Sequence, residues 1–155
     1  MVGLKMRRDE LLERICDIWL KVTSEKVAVL VEGRNDKIAI KELPSIIEPE
    51  IIETQVHKLE IIVRKLKRRG VKRVLILSDF DRKGVIINKR LENFLKREGF
   101  VVLEHERNKL WFLLHQLKIN HVEEIKRLSH IIKERLPFFI YYKKYCSKSM
   151  DNQIH

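Results

Sequence analysis

Apolar residues recur along this chain with two different periods, and the two periods predict its secondary structure. Leucine, isoleucine, tryptophan and valine at helical spacing predict an amphipathic helix over residues 8–22. Short apolar runs bounded by polar residues predict four strands, at residues 27–31, 51–54, 74–77 and 100–103. Three further helices are expected between these strands. They start at Asn35 or Asp36, near residue 57, and near Arg82, and they end before Pro44, at Gly70 and at Gly99.

This order of strands and helices predicts an α/β fold with a four-stranded parallel sheet covered by helices. We expect an N-terminal helix (1–24), an α/β core (25–104) and a helical C-terminal extension (105–155). In the extension, Asn120 and Glu123 predict a capping box at the start of a helix. Pro137 is expected to break that helix, and the mixed tail after it is expected to be partly disordered.

Acidic residues follow two of the predicted strands. Glu32 and Gly33 come after the first strand, in VEGRND, and Asp79 and Asp81 come after the third, in VLILSDFDRKG. The carboxyl ends of parallel strands meet at one edge of a sheet, where ligands bind. Clustered carboxylates repel one another unless a cation lies between them, and Mg²⁺ prefers such oxygen ligands. The pattern therefore predicts a Mg²⁺ site, with Mn²⁺ as a possible substitute and Glu32 placed to move a proton.

The two glycines beside these motifs are interpreted as structural. Gly33 is expected to allow a tight turn after the first strand, and Gly84 a close backbone approach as the next helix begins. Asp36 is interpreted as a charge in the first helical turn. On a purely structural interpretation, Asp81 only caps the helix that follows it.

The net charge of +11 is concentrated in one segment. Residues 57–73 carry eight basic groups and one acidic group, whereas residues 1–25 carry five of each. Such a basic helix favours a polyanionic partner, most often nucleic acid, and Arg64, Lys67 and Arg68 are its candidate phosphate contacts. Lys83, after the aspartates, is a further candidate. The alternative is a solvated helix face.

Composition narrows the class of protein further. The two cysteines, Cys16 and Cys146, lie far apart, so neither a disulfide framework nor a zinc site is predicted. No apolar run is long enough for a membrane span or a signal core, and a cytoplasmic protein is expected. The many Lys, Glu, Arg and Ile residues, with only three Gln, are typical of a thermophile.

The segments VLVEGRNDKIAI and VLILSDFDRKG resemble the two signature motifs of the Toprim domain family. This family includes primases, topoisomerases, some nucleases and the maturase of small ribosomal RNA, and the resemblance covers about residues 25–104. It implies that Glu32 is the general acid or base and that Asp79 and Asp81 bind Mg²⁺. The chain most resembles short, stand-alone archaeal Toprim proteins, which are described by analogy with the ribosomal RNA maturase.

Two departures from the family argue against a topoisomerase or a primase. Lys83 stands where type IA topoisomerases have a third acid, and the chain lacks the cysteines and the length of a bacterial primase. Two functions are left open: a Mg²⁺-dependent enzyme that cleaves phosphodiesters in RNA or DNA, and a non-catalytic module that binds nucleic acid or a ribonucleoprotein. A protein partner on the C-terminal helices is a further expectation.

Overall fold

A computed structural model describes the backbone of residues 6–78 and 82–154, and side chains in these ranges except those of 82–84, 87, 143 and 145–154. The elements are a 3₁₀ helix (Val122–Leu128), four strands and six α-helices. The strands are β1 (Val27–Val31), β2 (Glu50–Glu53), β3 (Arg73–Ile76) and β4 (Val101–Val102). The helices are α1 (Arg8–Val22), α2 (Arg34–Lys41), α3 (Leu59–Arg68), α4 (Arg82–Arg97), α5 (Glu104–Gln116) and α6 (Ser129–Ile154).

The four strands form one parallel sheet in the order β2-β1-β3-β4, which confirms the predicted fold class. The chain leaves β1 toward β2 on one side and then returns past β1 to β3 on the other. The strand order therefore reverses between β1 and β3. In open α/β sheets, ligands bind in the crevice beyond the carboxyl ends of the strands at this topological switch point.

Alternate residues of the strands face two separate hydrophobic cores. Val29 and Leu75 belong to a core with α1, α2, α5, the 3₁₀ helix and α6. Leu30 and Ile76 belong to a second core with α3 and α4. All five residues of β1 are buried, because the strand is central and is covered on both faces.

The predicted break at Pro137 is wrong, because Pro137 lies inside α6. Proline removes one helical hydrogen bond and crowds the preceding turn, at a cost of about 3 kcal/mol. Side chains on both sides of it pack against the first core: Ile132 is buried, and Leu136 and Phe139 are partly buried. This packing holds the helix through the proline, and α6 runs from Ser129 to Ile154.

Two predicted helix starts also need correction. The segment after Asn120 begins as a 3₁₀ helix capped by His121 without a side-chain hydrogen bond, so the predicted capping box does not form. Helix α2 has Gly33 as its N-cap, so neither Asn35 nor Asp36 caps it. The chain bends at Gly33, but its extended backbone angles (φ −136°, ψ −177°) are ones that any residue can adopt, so this turn does not require a glycine.

Candidate functional site

Glu32 lies at the switch point of the sheet. It directly follows β1, and its backbone carbonyl accepts a hydrogen bond from the N–H of Gln55 at 3.1 Å. On the other side of β1, Leu30 pairs with Ile76, and the N–H of Leu77 donates to the carbonyl of Leu30 at 2.8 Å. Continuing this register by two residues brings Glu32 level with Ser78. The two strand ends that carry the acidic motifs are therefore neighbours.

Ser78 has no predicted role from its sequence context, although it directly precedes Asp79. Its side chain is only 4 % exposed, and its Oγ has no hydrogen-bond partner in the described part of the chain. Buried hydroxyls are nearly always paired with protein or ordered water. An unsatisfied buried oxygen on the residue level with Glu32 is compatible with a hard, oxygen-preferring cation such as Mg²⁺.

A cleft of about 320 Å³ opens at the carboxyl ends of β1 and β2. Glu32, Asp36 and Glu123 supply its carboxylates, and Gln55 lines it as well. Asp36 has a structural task there, because its Oδ2 accepts a hydrogen bond from the N–H of Gly33 at 3.4 Å. Glu123 reaches the cleft from the 3₁₀ helix. Sequence reasoning missed it, because no local pattern reveals that this helix packs against α2.

The remaining acidic motif lies outside the described residues. Nothing is described for Asp79 and Asp81, and for Lys83 and Gly84 only the backbone, in the first turn of α4. Among the residues that are described, no three His, Cys, Asp or Glu side chains lie close enough together to hold a metal ion. The carboxylates of the cleft are thus insufficient by themselves, and a metal site here would need Asp79 or Asp81.

The basic C-terminal end of α3 lies at the amino ends of the strands, whereas Glu32 lies at the carboxyl end of β1. Arg69, which ends the helix, bonds Glu50 at the start of β2 at 2.9 Å, and its carbonyl accepts a hydrogen bond from Lys26 just before β1. Lys67 pairs with Glu98 at 3.3 Å. Arg64, Lys67 and Arg68 are all exposed. A helix of ten residues is about 15 Å long, so a ligand that reached both regions would have to run along α3.

A buried ion pair between Glu92 and Arg107 joins α4 to α5 beside the edge strand β4. The sequence analysis did not predict this pair. The Glu92 side chain is 1 % exposed and accepts hydrogen bonds from Arg107 at 3.3 Å and Lys96 at 2.9 Å. Burial alone would raise the pKa of Glu92, but hydrogen bonding with Lys96 and Glu104 and the charge of Arg107 together lower it. Glu92 is therefore held in its charged form.

Comparison with known proteins identifies the family. Residues 27–112, more than half of the chain, match the Toprim domain. The chain belongs to the Toprim family. A UPF0292 protein of Methanocaldococcus jannaschii is 27 % identical over 133 residues, which cover 84 % of this chain and 99 % of that relative. A solved structure of a protein from Aquifex aeolicus is similar with a TM-score of 0.57 and 28 % identity, over 77 % of this chain and 98 % of the other.

Membership in the Toprim family establishes the general class of function. Toprim domains bind divalent metal ions and act on nucleic acid, and the matched segment contains Glu32, Asp79 and Asp81. The described helices include none with the length and apolar character needed to cross a membrane.

Proposed function

We propose that this Toprim protein is a Mg²⁺-dependent enzyme that cleaves phosphodiester bonds in structured RNA or in DNA. The observation that carries the proposal is the position of Glu32 at the switch point, level with Ser78 on the neighbouring strand. Ser78 directly precedes Asp79, the first residue of the second acidic motif. A general acid or base must reach the same substrate atoms that a metal site contacts. The neighbouring ends of β1 and β3 support such an arrangement.

In this proposal the residues at the switch point have separate roles. Asp79 and Asp81 hold the ion, and Glu32 moves a proton at the attacking or leaving oxygen. When bound, Mg²⁺ stabilises the negative charge that develops on the phosphate oxygens. Lys83, in the first turn of α4, is proposed to contact a phosphate. Arg64, Lys67 and Arg68 would contact the nucleic acid farther away, along α3.

A binding module without cleavage is the second candidate function. The observation that favours it is the distance between the basic end of α3 and Glu32, since a binder needs no catalytic group near its phosphate contacts. A protein partner on the C-terminal helices also stays a prediction. Phe138, Tyr141 and Tyr142 on α6 are 73 %, 64 % and 68 % exposed, which is unusual for aromatic side chains.

Thermal melts with and without metal test the proposed ion site. With Mg²⁺ at a hundred times its dissociation constant, the wild type should gain about 2.7 kcal/mol of stability by mass action. The Asp79→Asn variant should lose most of that gain, because one ligand charge is removed. In chelator it should melt no lower than the wild type, since repulsion with Asp81 is relieved. Mn²⁺ should be measured in parallel, because it binds most oxygen sites more tightly.

Asp9→Asn is the matched control for the metal response. Asp9 is an exposed residue in the first turn of α1, and this variant should keep the full response to the ion. If Asp79 is instead a structural hydrogen-bond acceptor, Asp79→Asn should melt lower in chelator, and neither the variant nor the wild type should respond to either metal. That pattern would reject the ion site.

Affinity measured against salt concentration tests the basic face of α3. Changing Arg64, Lys67 and Arg68 to Ser should flatten the slope of log affinity against log salt by about 0.7–0.9 for each phosphate that the variant no longer binds. Lys67 is expected to contribute least, because it already pairs with Glu98. Fluorescence anisotropy with a labelled RNA hairpin and a labelled DNA duplex would give both slopes.

A variant with the same loss of charge controls for the net charge of the protein. Arg14, Lys126 and Lys133 are exposed on α1, the 3₁₀ helix and α6, on the opposite face of the sheet. Their replacement by Ser should change the slope far less than the α3 variant does. Equal slopes for the two triple variants would mean that α3 is only a solvated face.

A further inference from the structure

A cleft of about 560 Å³ lies between the first half of α4 and the first turns of α5. Its volume is in the range of roughly 300–1,000 Å³ that small-molecule sites occupy. Helix α4 begins directly after residues 79–81, and α5 begins directly after β4, so both start at the carboxyl edge of the sheet. The cleft therefore lies toward the carboxyl ends of the strands, on the β4 side of the sheet.

Part of the cleft wall is a network whose charges satisfy one another. Glu92 accepts hydrogen bonds from Arg107 and Lys96, and Lys96 also reaches Glu104 at 3.1 Å. The guanidinium of Arg107 donates to Asn108 at 3.3–3.4 Å as well. This network ties α4 to α5 along one wall of the cleft.

Asn88, in contrast, lines the cleft and carries a buried oxygen that is unsatisfied within the described part of the chain. Its side chain is 6 % exposed, and its Oδ1 accepts no hydrogen bond from any residue that the structure describes. A buried amide oxygen without a donor is uncommon in folded proteins. The ligand that suits it supplies an N–H group, and asparagine side chains pair well with the amino group of adenine.

The outer part of the cleft combines positive charge with apolar surface. Lys89 and Arg90 are exposed, and within the described part of the chain neither forms an ion pair. Cations in this setting can contact a phosphate group. Val85 and Ile86 are 46 % and 56 % exposed and offer apolar contact for the face of a base. An amide acceptor, apolar surface and exposed cations together match the parts of a nucleotide.

We propose that the α4–α5 cleft binds one nucleotide of the substrate, with Asn88 accepting a hydrogen bond from an exocyclic amino group of the base and Lys89 and Arg90 contacting a phosphate. This inference rests on the proposed action on nucleic acid and adds a preference for bases that carry an amino group.

Calorimetric titration of the full chain in chelator tests this cleft without any catalytic step. The probes are adenosine 5′-monophosphate, purine riboside 5′-monophosphate, which lacks only the amino group, and inorganic phosphate. The first should bind roughly 3- to 10-fold more tightly than the second, as expected for one neutral hydrogen bond. Asn88→Ala should abolish that difference, and Arg90→Ala should weaken binding of both nucleotides.

Two variants on the same helix are matched controls. Asn93 and Arg97 are exposed on α4 and do not line the cleft, so Asn93→Ala and Arg97→Ala should bind both nucleotides like the wild type. Equal affinity of the wild type for the two nucleotides, or for adenosine monophosphate and inorganic phosphate, would overturn the proposal. So would a difference that survives Asn88→Ala.

Nuclear magnetic resonance of the wild type gives a second measurement that does not depend on the folding of a variant. Adenosine monophosphate should shift the backbone amides of residues 85–92 and 104–108, and shifts confined to other regions would contradict the assignment. A negative result for nucleotide binding in this cleft would leave the proposed cleavage activity intact, because neither the titration nor the NMR measurement involves metal or phosphodiester chemistry. Loss of cleavage in a variant at Glu32 would likewise leave this cleft unaffected.

Discussion

Glu32→Gln is expected to abolish Mg²⁺-dependent cleavage of nucleic acid while the fold and the binding of nucleic acid are kept. A positioned acid or base contributes roughly 10²–10⁴-fold to the rate, and glutamine keeps the shape of the side chain but cannot exchange a proton. The backbone carbonyl of residue 32 accepts a hydrogen bond from the N–H of Gln55, and the side-chain substitution does not change that hydrogen bond. Single-turnover cleavage of labelled RNA and DNA substrates with Mg²⁺ or Mn²⁺ measures the effect.

Glu42→Gln is a suitable control for the loss of one carboxylate. Glu42 is exposed and follows the last turn of α2, at the other end of that helix from Glu32. Its substitution should leave the cleavage rate within a few-fold of the wild type. Cleavage by Glu32→Gln at the wild-type rate would reject the role of Glu32. A wild type that binds these substrates and cleaves none would favour the binding module.

Glu92→Gln is expected to destabilise the fold more than any other charge substitution proposed for this protein. The change leaves the nearly buried Arg107 without its carboxylate partner, and breaking a buried ion pair in this way costs about 3–5 kcal/mol. Lys96 is half exposed and can turn to water, so we expect the lower end of that range. For a chain of this size, about 3 kcal/mol corresponds to a fall in Tm of roughly 6–12 °C.

Glu98→Gln provides the matched control for that stability change. Glu98 pairs with Lys67 on the surface, where an ion pair is worth about 0–1 kcal/mol. Calorimetric melts of the two variants at pH 7 should therefore differ by several degrees. If both melt like the wild type, the α4–α5 pair contributes nothing measurable to the fold.

The pH dependence of the wild type follows from the lowered pKa of Glu92. The folded protein holds this carboxylate charged at a pH where the unfolded chain, with a glutamate pKa of about 4.3, begins to protonate it. The stabilisation is thus present above about pH 4.3 and is lost as the pH falls through the lower folded value. The Tm difference between the wild type and Glu92→Gln should shrink over that window.

The local pattern of the sequence was sufficient for most elements and for the grouping of the acidic motifs. Helix α1 and strand β1 have the bounds that were predicted, because helical spacing and a run of five apolar residues leave little choice. Predicting a parallel sheet also brought Glu32 and the segment around Asp79 to one edge, since parallel strands end on the same side. The Toprim motifs could also be recognised from the sequence, because each motif is one contiguous segment.

Other features were decided by residues distant in sequence, and local patterns could not reveal them. Pro137 stays within a helix because Ile132 and Phe139 pack against the core on either side of it. The basic end of α3 lies away from Glu32 because the crossover from β2 to β3 returns the chain to the opposite edge of the sheet. Glu123 reaches the cleft of Glu32 only because the 3₁₀ helix packs on α2.

The periodicity of apolar residues predicts which face of a helix or strand is buried. The strand order and the packing of the C-terminal helices determine which residues that face contacts. The Glu92–Arg107 pair shows the difference. Each residue reads as an ordinary surface charge in its own helix, and only the meeting of α4 with α5 around the short edge strand β4 buries the two together. The sequence thus determined the elements and the acidic edge of this Toprim protein, and the tertiary structure decided which charges became partners, because burial and pairing depend on contacts between distant segments.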